Sequence, residues 1–119
     1  MSFDWKDYIL LSNELAKRSE EACLHSSISR AYYGVFCIAR NKGSYQKYKG
    51  IDVHGKVIAK YKSSKDKVLR KVGWGLDELR KARNDADYNE NRVFKKDFVE
   101  RMVNFGKSSI KQVRKTIKT

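Results

Sequence analysis

The sequence predicts an all-α protein, an antiparallel bundle of four or five helices in a single domain over residues 1–119. Three observations predict it. Ile28, Ala31, Tyr32, Val35, Phe36 and Ala39 recur at i, i+3, i+4, i+7, i+8 and i+11, the spacing of one helical face. Proline is absent from all 119 residues, so nothing interrupts long helices by the usual route. No run alternates as a half-buried strand would. Amphipathic helices without a sheet must cover one another, which gives a bundle.

The elements follow in order. Helix one is expected from about Asp4 to Lys17, with Asp4 as N-cap and Trp5, Tyr8, Ile9, Leu11, Leu15 and Ala16 as a broad apolar face. Helix two runs from about Leu24 to Asn41, and Gly43 sits where a C-terminal cap is wanted. Its small residues Ser29, Ala31 and Gly34 would admit another helix closely. Residues 42–50, KGSYQKYKG, read as an exposed loop. Helix three is short, about Val53 to Tyr61. Residues 63–66, SSKD, signal a turn and an N-cap. Helix four is expected from about Asp66 to Ala86, on a stripe of Leu69, Val72, Leu76 and Leu79. Gly73 and Gly75 flank Trp74, so a kink or break is expected there. After a second loop, NENRV, helix five runs from about Lys95 to Ile117 on Val99, Val103, Gly106, Ile110 and Val113.

Composition narrows the function classes. Hydrophobic residues make up 40% and charged residues 34%, a globular balance. No apolar run approaches the roughly 20 residues that span a bilayer, and acid precedes the short apolar run of MSFDWKDYILL. A cytoplasmic protein with no membrane association is expected. Cys23 and Cys37 on one helix would lie about 21 Å apart, too far for a disulfide. No CxxC or Cys/His cluster offers a metal site, and no cofactor is expected.

The net charge is +13, unevenly spread. Residues 1–39 carry −1, residues 40–71 carry 11 basic against 2 acidic residues, and residues 72–119 carry +5. The basic middle attracts phosphates, an acidic protein or an anionic surface. Within it Lys42, Tyr45, Lys47, Tyr48 and Lys49 interleave cations and aromatic rings, a pattern suited to phosphate contact and base stacking. A bare surface loop is the alternative.

Arg83 stands out because it continues the apolar stripe of helix four. A charge there needs a partner, water or a ligand. Asp87, four residues on, can pair with it. Alternatively, Arg83 lines a cleft or subunit seam and holds phosphate. Tyr88 lies about 140° round the helix from Arg83 and converges on it only if the helix ends near Asp87.

SRAYYGVF at 29–36, HGKV at 54–57 and LRKARNDADY at 79–88, in that order, resemble the HEPN domain, in particular its small stand-alone bacterial and archaeal branch. The resemblance covers nearly the whole chain. It implies an antiparallel helical bundle that usually dimerises. It also implies a metal-independent ribonuclease signature: Arg, a polar residue, then His four to six positions after the Arg, paired across the dimer. Several members are toxins encoded beside a minimal nucleotidyltransferase antitoxin. Arg83 and Asn84 match the first two positions. The His does not match, because position 88 is Tyr. Histidine titrates near 6.5 and tyrosine near 10, so Tyr88 is a poor proton carrier at neutral pH. His54 in HGKV and Arg30 in SRAYYG are further candidates for the phosphate site; an ordinary helix-start histidine and a surface arginine are their alternatives. His25 shows no evident partner. Tyr32 and Tyr33 read as core and interface aromatics.

Three functions follow. The first is a HEPN ribonuclease toxin with a degenerate second residue. The second is a non-catalytic HEPN module that binds RNA, nucleotide or a nucleotidyltransferase. The third is a structural helical dimer.

Overall fold

The computed structural model describes residues 3–117, and these form five α-helices with no strand among them. They are α1 (Lys6–Leu15), α2 (Glu21–Lys42), α3 (Val53–Lys62), α4 (Lys67–Tyr88) and α5 (Lys96–Thr116). The expected all-helical bundle is therefore present. α2 is the central helix: α1, α4 and α5 all pack on it, and α3 packs on α4. That is why Ile28, Ala31, Tyr32 and Val35 of α2 are almost wholly buried. One core cluster joins Ala31, Tyr32 and Val35 to Ile9, Val57, Leu76, Leu79 and Val113. A second, at the other end, holds Leu24, Ile28, Ala82, Phe94, Val99 and Val103.

The small-residue face of α2 does admit a helix, and it is α1. A Cβ added at Gly34 would stand 3.0 Å from Ile9 Cγ1 and 3.2 Å from the Trp5 carbonyl. Beside this contact Ser12 Oγ donates to the Ser27 carbonyl at 2.7 Å, and Ser27 Oγ donates to the Ser12 carbonyl at 2.8 Å. Both serines are fully buried. A reciprocal pair of this kind satisfies four polar groups in an apolar seam, each bond being worth about 1 kcal/mol net.

Several expectations change. α4 is continuous through Gly73 and Gly75. The glycines serve close packing: a Cβ at Gly73 would press on the Lys62 amide and the Tyr61 carbonyl carbon at the end of α3. α2 begins at Glu21, before its apolar stripe, because extended Glu20 supplies the first carbonyl acceptor. Gly43 does occupy the C-cap of α2 but with φ −79; the left-handed residue is the next one, Ser44. α3 is capped by Asp52, whose carboxylate accepts from Gly55 N–H at 3.0 Å. At α4 the expected cap holds: Asp66 accepts from the Val68 and Leu69 amides at 2.8 and 3.1 Å. Asp4 acts one residue ahead of the expected cap geometry, accepting from Lys6 N–H at 3.0 Å. Cys23 and Cys37 are both free thiols. No helix among the described residues is long and apolar enough to cross a membrane.

Candidate functional site

The apolar stripe of α4 turns towards α2 and carries Arg83 with it. Arg83 is only 8% exposed. Its guanidinium carbon lies 5.1 Å from the ring centroid of Tyr32 and 5.3 Å from that of Tyr33. Its Nε is buried and has no hydrogen-bond partner among the described residues. The nearest carboxylate oxygen is Asp87 Oδ2, 3.7 Å from Nη1. A buried guanidinium normally donates several hydrogen bonds to acceptors around it. Two aromatic faces offset part of the burial cost, but they accept no conventional hydrogen bond. The expected pairing with Asp87 therefore exists, yet it leaves the guanidinium underserved.

Tyr32 links this arginine to His54. The Tyr32 hydroxyl lies 2.6 Å from His54 Nδ1. Burial pushes the Tyr32 phenol above its ordinary range, so it keeps its proton. The His54 ring stacks on Phe36, with centroids 4.1 Å apart and planes 2° from parallel. Burial first, then the charges of Arg80 and Arg83, hold the His54 pKa below the ordinary value of 6.5. Arg80, one turn before Arg83, is tied at 2.8 Å to Asp52, the cap of α3. That hydrogen bond, followed by the one from Gly55 N–H, holds the Asp52 carboxyl below its usual range. The seam of α2, α3 and α4 thus gathers two arginines and a neutral imidazole around Tyr32.

The remaining candidates divide. Arg30 lies 4.8 Å above the Tyr8 ring, and it shares a polar cavity of about 240 Å³ with Asp87, Ser26, Ser29 and His25. Through Asp87 this cavity adjoins Arg83. Asn84 is exposed and makes no side-chain hydrogen bond among the described residues. Tyr88 is 78% exposed, and α4 runs through it. It therefore stays about 140° from Arg83, and the condition for their convergence within one protomer is not met.

In the basic loop, Lys47 and Lys49 are exposed and Lys42 is half-buried. Tyr45 and Tyr48 stack on each other at 5.4 Å, and Tyr45 meets the edge of Tyr61 at 6.0 Å. The two tyrosines are thus fastened to the core. Tyr48 also lines a cavity of about 590 Å³ with Lys56, Ala59, Lys60 and Ser63. Lys56 and Lys60 were missed by sequence reasoning, although their i, i+4 spacing on a short helix was available as a signal.

His25 was missed as well. Its Nδ1 lies 2.7 Å from the Ala86 carbonyl and its Nε2 lies 2.8 Å from the Arg92 carbonyl. It fastens α2 to the end of α4 and to the following loop. No sequence pattern could announce partners 61 and 67 residues away. Among the described residues, no three His, Cys, Asp or Glu side chains converge as metal ligands would.

No protein-family model matches the chain. No curated protein matches it, and no solved structure does.

Proposed function

We propose that the chain is a HEPN-type RNA-associated protein that holds an RNA phosphate at Arg83, with weak metal-independent ribonuclease activity. In this reading it is the toxin-like member of a pair with a minimal nucleotidyltransferase. One observation supports it above the others: Arg83 is nine-tenths buried, yet among the described residues its Nε has no partner and the one carboxylate paired with it stands at 3.7 Å. A phosphate oxygen would supply the missing acceptor, and guanidinium suits phosphate through its paired N–H groups. Arg80 and the basic 40–71 segment would add to the attraction.

For cleavage, a base takes the ribose 2′-OH proton, that oxygen attacks the adjacent phosphorus, and the 5′ oxygen leaves with a proton. Arg83 would hold the phosphate while charge builds on it. The proton-transfer partner is the weak point, because Tyr88 points away from Arg83 within the protomer. A two-fold dimer could bring Tyr88 and Asn84 of one chain to Arg83 of the other. We expect such a dimer through the exposed flank of α4, with the partly exposed residues of α2 beside it.

The exposure of Tyr88 also favours a second reading, a module of the same kind that binds RNA or a partner without cleaving. A purely structural dimer leaves the underserved Arg83 without a use. The test is fluorescence anisotropy with a short labelled single-stranded RNA, beside a cleavage assay in EDTA. Loss of binding in a folded Arg83→Met variant supports the phosphate site. Equal binding by that variant refutes it, and cleavage by wild type separates the first reading from the second.

A further inference from the structure

On the side of the bundle formed by α1 and α5 lies a cleft of about 650 Å³. Its apolar floor is Ile9, Leu10 and Ile110; its rim is Lys6, Lys107, Lys111, Arg114 and Lys115. Leu10 is 52% exposed, and Leu11 on the same helix is 44% exposed. On α5 the rim lysines fall at i, i+4 and i+8, so they rise along one face in steps of about 6 Å. Asp4 is the only acid paired with this rim among the described residues, at 3.8 Å from Arg114. Lys107 donates to Asn13 at 2.7 Å. Lys6, Lys111 and Lys115 have no ion pair among the described residues.

We infer that this cleft is a docking site for an acidic amphipathic helix of a partner protein. An apolar floor with a cationic rim is the complement of a helix that presents leucine-like side chains along one stripe and carboxylates beside it. The volume suits a few such side chains rather than a whole domain. Nucleic acid fits poorly, because phosphate gains nothing over isoleucine and leucine. A lipid surface is broad, whereas this cleft is a concavity of about 650 Å³. A second copy would bring a chain of +13 to a rim of five cations. The site is independent of the Arg83 cleft.

The probe is a fluorescein-labelled designed helix with leucines at i, i+3, i+4 and i+7, flanked by glutamates. Anisotropy should show saturable binding at physiological salt. Binding should fall roughly tenfold when the glutamates become glutamines, and by a similar factor when the leucines become alanines. Lys111→Glu with Lys115→Glu should weaken it comparably, and a lysine-flanked peptide should recover affinity for that variant alone. Both lysines are exposed, so circular dichroism should show an unchanged fold. Four results overturn the inference: no saturable binding by the designed helix; displacement of it by RNA with the same dependence on Lys111 and Lys115; sedimentation with phosphatidylserine vesicles that requires Leu10; or a change of oligomeric state in the lysine variant alone.

Discussion

Arg83 and Asp87 face each other across one turn of α4 at 3.7 Å, beyond hydrogen-bond reach. The arginine side chain is 9% exposed and the aspartate side chain 27%. The pair thus has a dry partner and a wet one, and the dry one carries the unsatisfied Nε. Such a pair stabilises less than its geometry on paper suggests, because the aspartate charge is screened and the arginine is incompletely compensated.

Arg83→Met should accordingly leave stability within about 1 kcal/mol of wild type, or raise it, since methionine replaces the aliphatic stem of the arginine and removes the buried charge. Asp87→Asn should lower stability by about 1 kcal/mol or less, given the exposure of the carboxylate. Urea denaturation measures both. A loss of several kcal/mol in Arg83→Met would make the arginine a structural brace and remove the reason to look for an anion.

His25 should matter more to the fold than its modest burial suggests. Its two ring nitrogens lie 2.7 and 2.8 Å from the carbonyls of Ala86 and Arg92, and removing the ring strands at least one of these acceptors. His25→Ala should destabilise by about 1–3 kcal/mol, and His25→Leu should recover little of it. Faster amide exchange in residues 86–94 would accompany the loss. If His25→Leu is as stable as wild type, the edge contact with Phe94 is what counts.

Protonation of His54 should act against the fold. Its folded pKa is depressed, chiefly by burial and then by Arg80 and Arg83. Above the ordinary value of 6.5 the ring is neutral in both states and has no effect on the pH dependence. As pH falls below it, the unfolded chain takes up the proton first, so stability drops down to the folded pKa. The low carboxyls Asp52 and Asp77 contribute their own loss only as pH falls below about 3.8, outside this window. Urea midpoints for wild type and His54→Gln between about pH 5 and 7.5 should therefore differ in slope, the variant being flatter. Parallel curves would count against a depressed His54.

How much of this was legible in the sequence depends on how local its cause is. The helices could be read because the periodicity of residues 28–39 and 69–79 is written within each segment. Arg83 could be singled out because it interrupts that pattern. What Arg83 touches could not be read, since Tyr32 and Tyr33 meet it only once α2 and α4 pack. Gly73 predicts a kink because glycine lowers helix propensity; its use is steric, against the end of α3, a fact of tertiary packing. Tyr45 looked like a free stacking ring and is instead set against Tyr61. The reciprocal Ser12–Ser27 bonds left no trace, because a serine on an apolar face has no pattern of its own.

Affinity for single-stranded RNA should fall steeply with salt, as phosphate contacts release counterions. Replacing Lys42, Lys47 and Lys49 together should weaken binding across sequences. Lys56→Gln with Lys60→Gln should do the same, because those lysines border the cavity that contains Tyr48. Each removed phosphate contact should shallow the log–log salt slope by about 0.7. Tyr48→Ala should weaken binding by more than Tyr45→Ala, whose ring is engaged with Tyr61. An unchanged slope in both lysine variants would take this face out of the RNA path.

Tyr88→His should raise ribonuclease activity above a weak or absent wild-type level, and only in the dimer. Arg83 and Asn84 match the first two positions of the sequence signature that the HEPN resemblance implies, and histidine at 88 would complete the Arg-x4-His spacing. It would supply a group that exchanges a proton near neutral pH, which tyrosine does not. A gain of about tenfold or more is a modest part of what general acid–base catalysis contributes. Within one protomer residue 88 is exposed and faces about 140° away from Arg83, so a gain requires Arg83 from the other chain. Specific activity should therefore rise with protein concentration as dimers form, and it should vanish on dilution to monomers as followed by light scattering. It should also vanish in an Arg83→Ala background and persist in EDTA. Gain retained by a monomer would mean that α4 unwinds near Asp87 and that the two residues meet within the chain. No gain from a folded, dimeric Tyr88→His would leave the cleft as a binding site, with phosphate held and no proton moved.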